Sequence, residues 1–331
     1  MVEQHPVRLA LFGPGGFGHE RARAMQASPQ VEFLACYSPL ESERLACQVR
    51  FGARAVTSPA KIWDDPAIDG VVLSTPNQLH LEQCCQAAAA GKHVFVEKPI
   101  APTVAAARRM IECCERAGVL LMVGHNSRRR NRKRLMKRYL EEGKLGKPLA
   151  AEANNSHAGG LDIPPGDWRW SQANCPGGSL SQLGVHHADT LQYLLGPVAR
   201  VSAWQRRLTI AAEVDDVTVA LLEFENGALG YLGAHYAIPN LRYLHLLGTK
   251  ANMRWDKAMG LVFEHDGERE NIPVTENDTV LEEIEEFALC ITTGEAPEIN
   301  GWTALAALAV IEAAVLSNQR RRPVDISEVI G

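Results

Sequence analysis

From residue 7 to residue 124, short apolar runs alternate with segments whose apolar positions recur at helical spacing. VRLALFG leads into GHERARAMQAS, VEFLACYS into ESERLACQVR, GVVLSTP into LEQCCQAAAAG, HVFVEKP into TVAAARRMIECCERAG, and VLLMVGH closes the series. Runs that are apolar throughout fit strands covered on both faces, and strands separated by helices need crossovers, which makes the sheet parallel. The pattern predicts a doubly wound α/β domain over residues 1–124. Gly91 and Gly118, each between a helix and a strand, are expected as left-handed helix ends.

Beyond Asn126 the pattern changes. A helix RKRLMKRYLEEG is followed by a polar stretch from His157 to Gly178, rich in Gly, Pro and Trp, and then by a helix LSQLGVHHADTLQYLLG. Alternating runs come next: VARVSAWQRR, DVTVALLEF, ALGYLGAHY, RYLHLLG, ANMRWD, LVFEH and ERENIPV. Asn226-Gly227 and Asp266-Gly267 read as two-residue hairpin turns, with positive φ at both central positions. Residues 125–331 are therefore expected to form an α+β domain with a large, mainly antiparallel open sheet. Two last helices, about 279–292 and 301–318, pack on it or return to the first domain. The apolar content of ALLEF and ALGYLGAHY predicts that both sheet faces are partly covered, and a homodimer or homotetramer through that sheet would cover the outer one.

A chain of 331 residues suits two domains, and 46% hydrophobic with 22% charged residues is a globular balance. A net charge of −5 removes any overall attraction to nucleic acid or to an anionic membrane. No uninterrupted apolar stretch of about 18 residues occurs, and the N-terminus lacks a signal-peptide pattern, so the expectation is an unprocessed cytoplasmic protein outside the membrane. The eight cysteines form no C-x-x-C pair, which points to reduced, mostly buried thiols and no metal site. The basic run 128–134 reads as a solvated helix face, with Arg128 or Arg129 held back for an anionic substrate as the alternative.

Gly13-Pro14-Gly15-Gly16-Phe17-Gly18 places G-x-G-x-x-G directly after a predicted strand and before a helix. Gly13 allows a tight turn, Gly15 lets backbone approach a pyrophosphate, and Gly18 permits close packing of helix on strand. An acidic residue about 20 residues on would hold the adenosine ribose. Ser38 stands there instead, and its hydroxyl serves a 2′-hydroxyl or a 2′-phosphate. If Arg44 reaches back it favours the phosphate, a slight lean from NAD toward NADP; otherwise Ser38 only starts a turn. Ser74-Thr75-Pro76-Asn77-Gln78-Leu79-His80 and Glu97-Lys98-Pro99 lie at carboxyl ends of predicted strands, where open parallel sheets bind ligands.

Taken in order, GPGGFG, STPNQLH, GKHVFVEKP, VGHNSR, the DWRW stretch and GGSLSQLGVHHAD resemble the Gfo/Idh/MocA family of oxidoreductases over almost the whole chain. The resemblance implies that Lys98 lies beside the nicotinamide and donates to the alkoxide that develops as hydride leaves, with Glu97 orienting it or binding cofactor. It implies cofactor contacts from Ser74, Thr75, Pro76, Asn77, His80 and Asn126, and from Trp168 and Arg169 in a segment that folds over the cofactor; packing of the two tryptophans is the plain alternative. His186 matches the catalytic histidine, able to take or return the hydroxyl proton, against a satisfied core histidine. Gln182, His186 and Asp189 lie at i, i+4 and i+7, on one helical face. Many relatives carry an aspartate where this chain has Gln182, which leaves proton transfer to His186 and Lys98. Lys98, Arg128, Trp168, Gln182 and His186 are the candidate substrate contacts. The expected activity is NAD(P)-dependent hydride transfer to or from a secondary alcohol or hemiacetal carbon of a sugar, cyclitol or related polyol. The alternatives are a dihydrodiol or hydroxylated aromatic-acid dehydrogenase, and a non-catalytic NAD(P)-binding regulator.

Overall fold

Strands and helices alternate through the first third of the chain: β1 (Val7–Phe12), α1 (Gly18–Ala27), β2 (Val31–Tyr37), α2 (Glu41–Phe51), β3 (Arg54–Val56), α3 (Ala60–Trp63), β4 (Gly70–Leu73), α4 (His80–Ala89), β5 (His93–Glu97), α5 (Val104–Ala117) and β6 (Leu121–Gly124). The structure is a computed structural model that describes residues 5–331. These strands form a six-stranded parallel sheet in the order β3-β2-β1-β4-β5-β6. The order reverses between β1 and β4, so their carboxyl ends flank the switch point at which open α/β sheets bind ligands. Gly91 and Gly118 take φ of 71° and 67°, as the helix ends require.

The remaining elements are α6 (Asn131–Glu141), β7 (Pro148–Ser156), α7 (Val185–Leu195), β8 (Val198–Arg206), β9 (Val217–Phe224), β10 (Leu229–His235), β11 (Leu241–Gly248), β12 (Ala251–Asp256), β13 (Gly260–His265), β14 (Glu268–Ile272), α8 (Thr279–Thr293), α9 (Gly301–Arg320), β15 (Val324–Asp325) and α10 (Ser327–Ile330). The nine-stranded sheet runs β14-β13-β12-β11-β7-β10-β9-β8-β15. Its pairings are antiparallel except for β7 with β10.

The chain divides into two units. One holds the chain up to Ala101, Ala105–Asn126 and Asp278–Ala304; the other holds Pro102–Val104, Ser127–Asn277 and Leu305–Gly331. Helix α8 belongs to the first unit, where Ile284, Phe287 and Ala288 join one apolar core with Leu9, Leu11, Met25, Val72 and Phe95. Phe287 meets Phe95 edge-on at 5.8 Å between ring centroids. Full burial of a side chain of that size stabilises the unit by roughly 1.5–3 kcal/mol.

Several local expectations need correction. β7 sits between β11 and β10 but was not foreseen from its sequence, PLAAEANNS. The Asn226-Gly227 hairpin is a three-residue loop: Phe224 and Ala228 close it, with Phe224 N–H donating to Ala228 O at 2.9 Å, and Gly227 alone takes positive φ. At Asp266-Gly267 both residues do, with φ of 49° and 80°. Cys85 on α4 and Cys113 on α5 form a disulfide, contrary to the expectation of reduced thiols, because the two helices bring the vicinal pairs face to face; Cys84 and Cys114 lie 3.5 Å apart beside it. Helix α9 is long and apolar enough to cross a membrane by length and composition, yet most of it is buried inside the protein, as for a core helix.

Candidate functional site

At the carboxyl end of β1 the chain turns through Gly13, which takes φ of 75° and donates its N–H to Tyr37 O at 2.9 Å. A Cβ on Gly13 would come within 2.6 Å of Ser74 O, and one on Gly18 would overlap Gly13 O, so neither position tolerates a side chain. Gly16 takes φ of 51° and is open on its Cβ side, with no atom within 4 Å. The loop thus presents bare backbone at the N-terminus of the ten-residue α1, whose dipole favours an anion there. These residues fit a dinucleotide pyrophosphate. Phe17 is half-exposed and lies over Arg21.

Ser38 is buried at the end of β2, where its hydroxyl donates to Glu43 Oε2 at 2.6 Å. Arg44 is turned onto the backbone, with Nη1 donating to Ser38 O at 2.7 Å and Pro39 O at 3.1 Å. Arg44 thus reaches back to the end of β2, with Nη1 held by two carbonyls. Glu43, which the sequence reading did not single out, lies against the glycine loop: a Cβ on Gly15 would approach its carboxylate carbon to 2.8 Å.

Beyond β4, Ser74 N–H donates to Phe12 O at 2.9 Å, and Thr75 Oγ1 meets Gln83 Oε1 at 2.6 Å. Pro76 leads into a short turn from the buried Asn77 to Leu79. His80 is fully buried, with Nε2 2.9 Å from Thr75 O and Nδ1 3.0 Å from Ile100 O. Burial pushes its pKa down while the two carbonyls oppose that shift. Its ring ties the loop after β4 to the loop after β5.

At the end of β5, Glu97 accepts from Arg21 Nε at 2.5 Å, and Arg21 Nη2 lies 2.7 Å from Glu283 Oε2 on α8. Arg21 and Glu283 are completely buried, and the guanidinium stacks over Phe95 at 4.5 Å. Burial works against the arginine's charge, but the two carboxylates prevail and hold its pKa above the ordinary value. Lys98, half-buried, follows Glu97 directly at a cis Lys98–Pro99 bond. Asn126 Nδ2 donates to Thr279 Oγ1 at 3.1 Å. Arg21 was missed in the sequence although its signal is visible: Gly18, Arg21, Ala22 and Met25 fall at i, i+3, i+4 and i+7, an apolar stripe with a cation in it.

In the second unit, Leu180–Gly184 is a π turn, in which Val185 N–H donates to Leu180 O, and α7 begins at Val185. The turn that carries Gln182 is wider than an α-helix, while His186 and Asp189 lie in α7 itself. Gln182 is buried with Nε2 3.4 Å from Cys175 Sγ, while His186 is half-buried. Asp189 receives two bonds from Arg128, whose guanidinium also stacks on Tyr193. Trp168 and Trp170 pack against the cluster of Cys175, Ile210, Ala212, Val214 and Tyr236, and Arg169 lies over Trp168 at 4.4 Å and pairs with Asp167.

The basic run is not the solvated face it was expected to be. Arg128, Arg129, Arg132 and Lys133 are all buried, and Arg132 stacks on Trp255 and pairs with Glu276. Lys133 Nζ donates to Ser127 Oγ at 2.7 Å and Thr190 Oγ1 at 2.8 Å. Burial, aided by Arg132 and Arg130, pushes its pKa well down. His187 is depressed in the same way, by burial and then by Lys133.

Residues 7–125 match the model of an oxidoreductase family's NAD-binding Rossmann fold, and residues 134–254 match the Gfo/Idh/MocA C-terminal domain. The chain is 30% identical over 276 residues to a 1,5-anhydro-D-fructose reductase of Ensifer adhaerens, covering 79% of this chain and 82% of that protein. It is 25% identical to a myo-inositol 2-dehydrogenase of Thermotoga maritima, covering 98% of this chain and all of the relative. Among solved structures, an oxidoreductase of Desulfitobacterium hafniense, provisionally named for NADPH, superposes with a TM-score of 0.95 at 33% identity, covering 99% of each chain. With both halves matched, the chain belongs to the Gfo/Idh/MocA family of NAD-binding oxidoreductases.

Proposed function

We propose that the protein transfers hydride between a bound nicotinamide dinucleotide and a secondary alcohol or hemiacetal carbon of a sugar, cyclitol or related polyol. The observation that carries this reading is the end of β5, where the buried Arg21–Glu97–Glu283 cluster fixes the backbone from which half-exposed Lys98 projects. Gly13, Gly15, Gly16 and Gly18 would hold the pyrophosphate, with Ser74, Thr75, Pro76 and Asn77 beside them. When bound, the dinucleotide supplies the hydride acceptor or donor. Lys98 donates a hydrogen bond to the oxygen that gains charge, and His186 takes or returns the hydroxyl proton. Gln182, with no carboxylate to offer, orients substrate or histidine. The activities named for the relatives, on an anhydrofructose and an inositol, support a polyol. The aromatic-acid alternative drew on Arg128 or Arg129, and of these Arg128 gives two bonds to Asp189.

The test is nicotinamide reduction at 340 nm across a panel of sugars, inositols and dihydrodiols. One polyol is expected to turn over, with Lys98→Ala and His186→Ala each slowing it roughly 10²–10⁴-fold. Dinucleotide binding without turnover on any substrate would favour the regulator reading instead.

Trp204 and Leu221 are exposed on one face of the nine-stranded sheet, where the β8–β9 register places them two positions apart. A homo-oligomer through that face would cover them, and a monomeric mass by light scattering would exclude it.

A further inference from the structure

Ribose hydroxyls and a 2′-phosphate ask opposite things of a protein: hydroxyls donate to a carboxylate, whereas a phosphate is repelled by one and held by a guanidinium. The charge facing the turn between β2 and α2 therefore decides which dinucleotide is accepted. In this chain both candidates are present as neighbours on the first turn of α2, and each bonds a different part of Ser38. The Glu43 carboxylate faces the glycine loop, against Gly15, and is held by the Ser38 hydroxyl at 2.6 Å. Arg44 reaches the same turn, but its Nη1 is bonded to the carbonyls of Ser38 and Pro39, and no contact sets it against the glycine loop as Glu43 is set.

We infer that Glu43 selects the dinucleotide: it accepts from the adenosine ribose hydroxyls and repels a 2′-phosphate, so the protein takes NAD(H) in preference to NADP(H). This rests on the dinucleotide-binding reading above and deepens it. The acidic residue that dinucleotide sites place at the end of β2 is replaced here by Ser38. Glu43 restores the carboxylate from five positions further along, and Ser38 holds it at the loop. The inference runs against the slight lean toward NADP drawn from Arg44 in the sequence, where Glu43 was not weighed.

Isothermal titration of the full chain with NADH and NADPH tests the inference without turnover. The unmodified protein is expected to bind NADH at least about tenfold more tightly, as like charges in contact require. Glu43→Gln narrows that ratio to within about threefold by removing the repulsion while keeping an acceptor, and Glu43→Lys inverts it. Equal or tighter NADPH binding by the unmodified protein overturns the inference. So does an unchanged ratio in Glu43→Gln, or a loss confined to NADPH in Arg44→Ala. Binding of neither dinucleotide overturns the dinucleotide reading itself and this inference with it, whereas equal binding of both overturns this inference alone.

Discussion

Arg128 and Asp189 face each other through two hydrogen bonds, Nε to Oδ2 at 2.9 Å and Nη2 to Oδ1 at 2.5 Å, with both side chains almost wholly buried. Removing one partner of such a pair strands the other charge in a poorly solvated site, at a cost of about 3–5 kcal/mol, whereas replacing both with apolar groups is often close to neutral. Arg128→Met is therefore expected to lower the unfolding free energy by about that amount, and the double variant Arg128→Met/Asp189→Leu to recover much of it. Denaturant midpoints measure both. A double variant no more stable than the single one would show that Arg128 stabilises through its stacking on Tyr193 instead.

His187 titrates below its ordinary range because it is buried and because Lys133 is close, with a hydrogen bond from its ring to the Asn154 backbone opposing the shift only in part. Its folded pKa is thus lower than its unfolded one. The unfolded chain binds the extra proton first, so stability falls as pH drops below about 6.5 and is regained above it. His80, His93 and His235 are depressed in the same direction by burial and add to the slope. Thermal melts at pH 5.5 and 7.5 should differ, and the difference should shrink in His187→Gln. A pH dependence identical in the variant would remove His187 from this account.

Thiol counting checks the disulfide. Under denaturing conditions without reductant, six of the eight cysteines should react, and all eight after reduction. Because Cys85 and Cys113 join α4 to α5 across 28 residues, reduction should also lower the stability of the first unit, by about 2–4 kcal/mol. Eight reactive thiols from the start would restore the reduced state that the sequence led us to expect.

Much of the fold could be read from periodicity, and the exceptions have identifiable causes. The strands of the parallel sheet announce themselves as apolar runs because both faces are covered. β7 does not: PLAAEANNS is rich in Ala and Asn, poor strand formers, and its place is imposed by β11 and β10 on either side. The glycine loop was legible since only glycine fits its backbone. Arg128 and Lys133 were not, because a charge run is ordinarily solvated and nothing local shows that Asp189, Thr190 and Ser127 await it. The π turn that holds Gln182 before α7 has no signal in the apolar spacing.

Helix α8 joins the core of the first unit from more than 150 residues beyond β6. On the ribosome, the sheet and its first five helices leave the exit tunnel long before Ile284, Phe287 and Ala288 have been made. Until then the apolar surface around Phe95 stays uncovered and Arg21 has only one of its two carboxylates. The dinucleotide-binding half therefore cannot finish folding while the chain is being extended, and a gene fragment ending at Asn126 would encode an incomplete core. Joining residues 278–304 to such a fragment through a flexible linker would be the way to obtain that half alone.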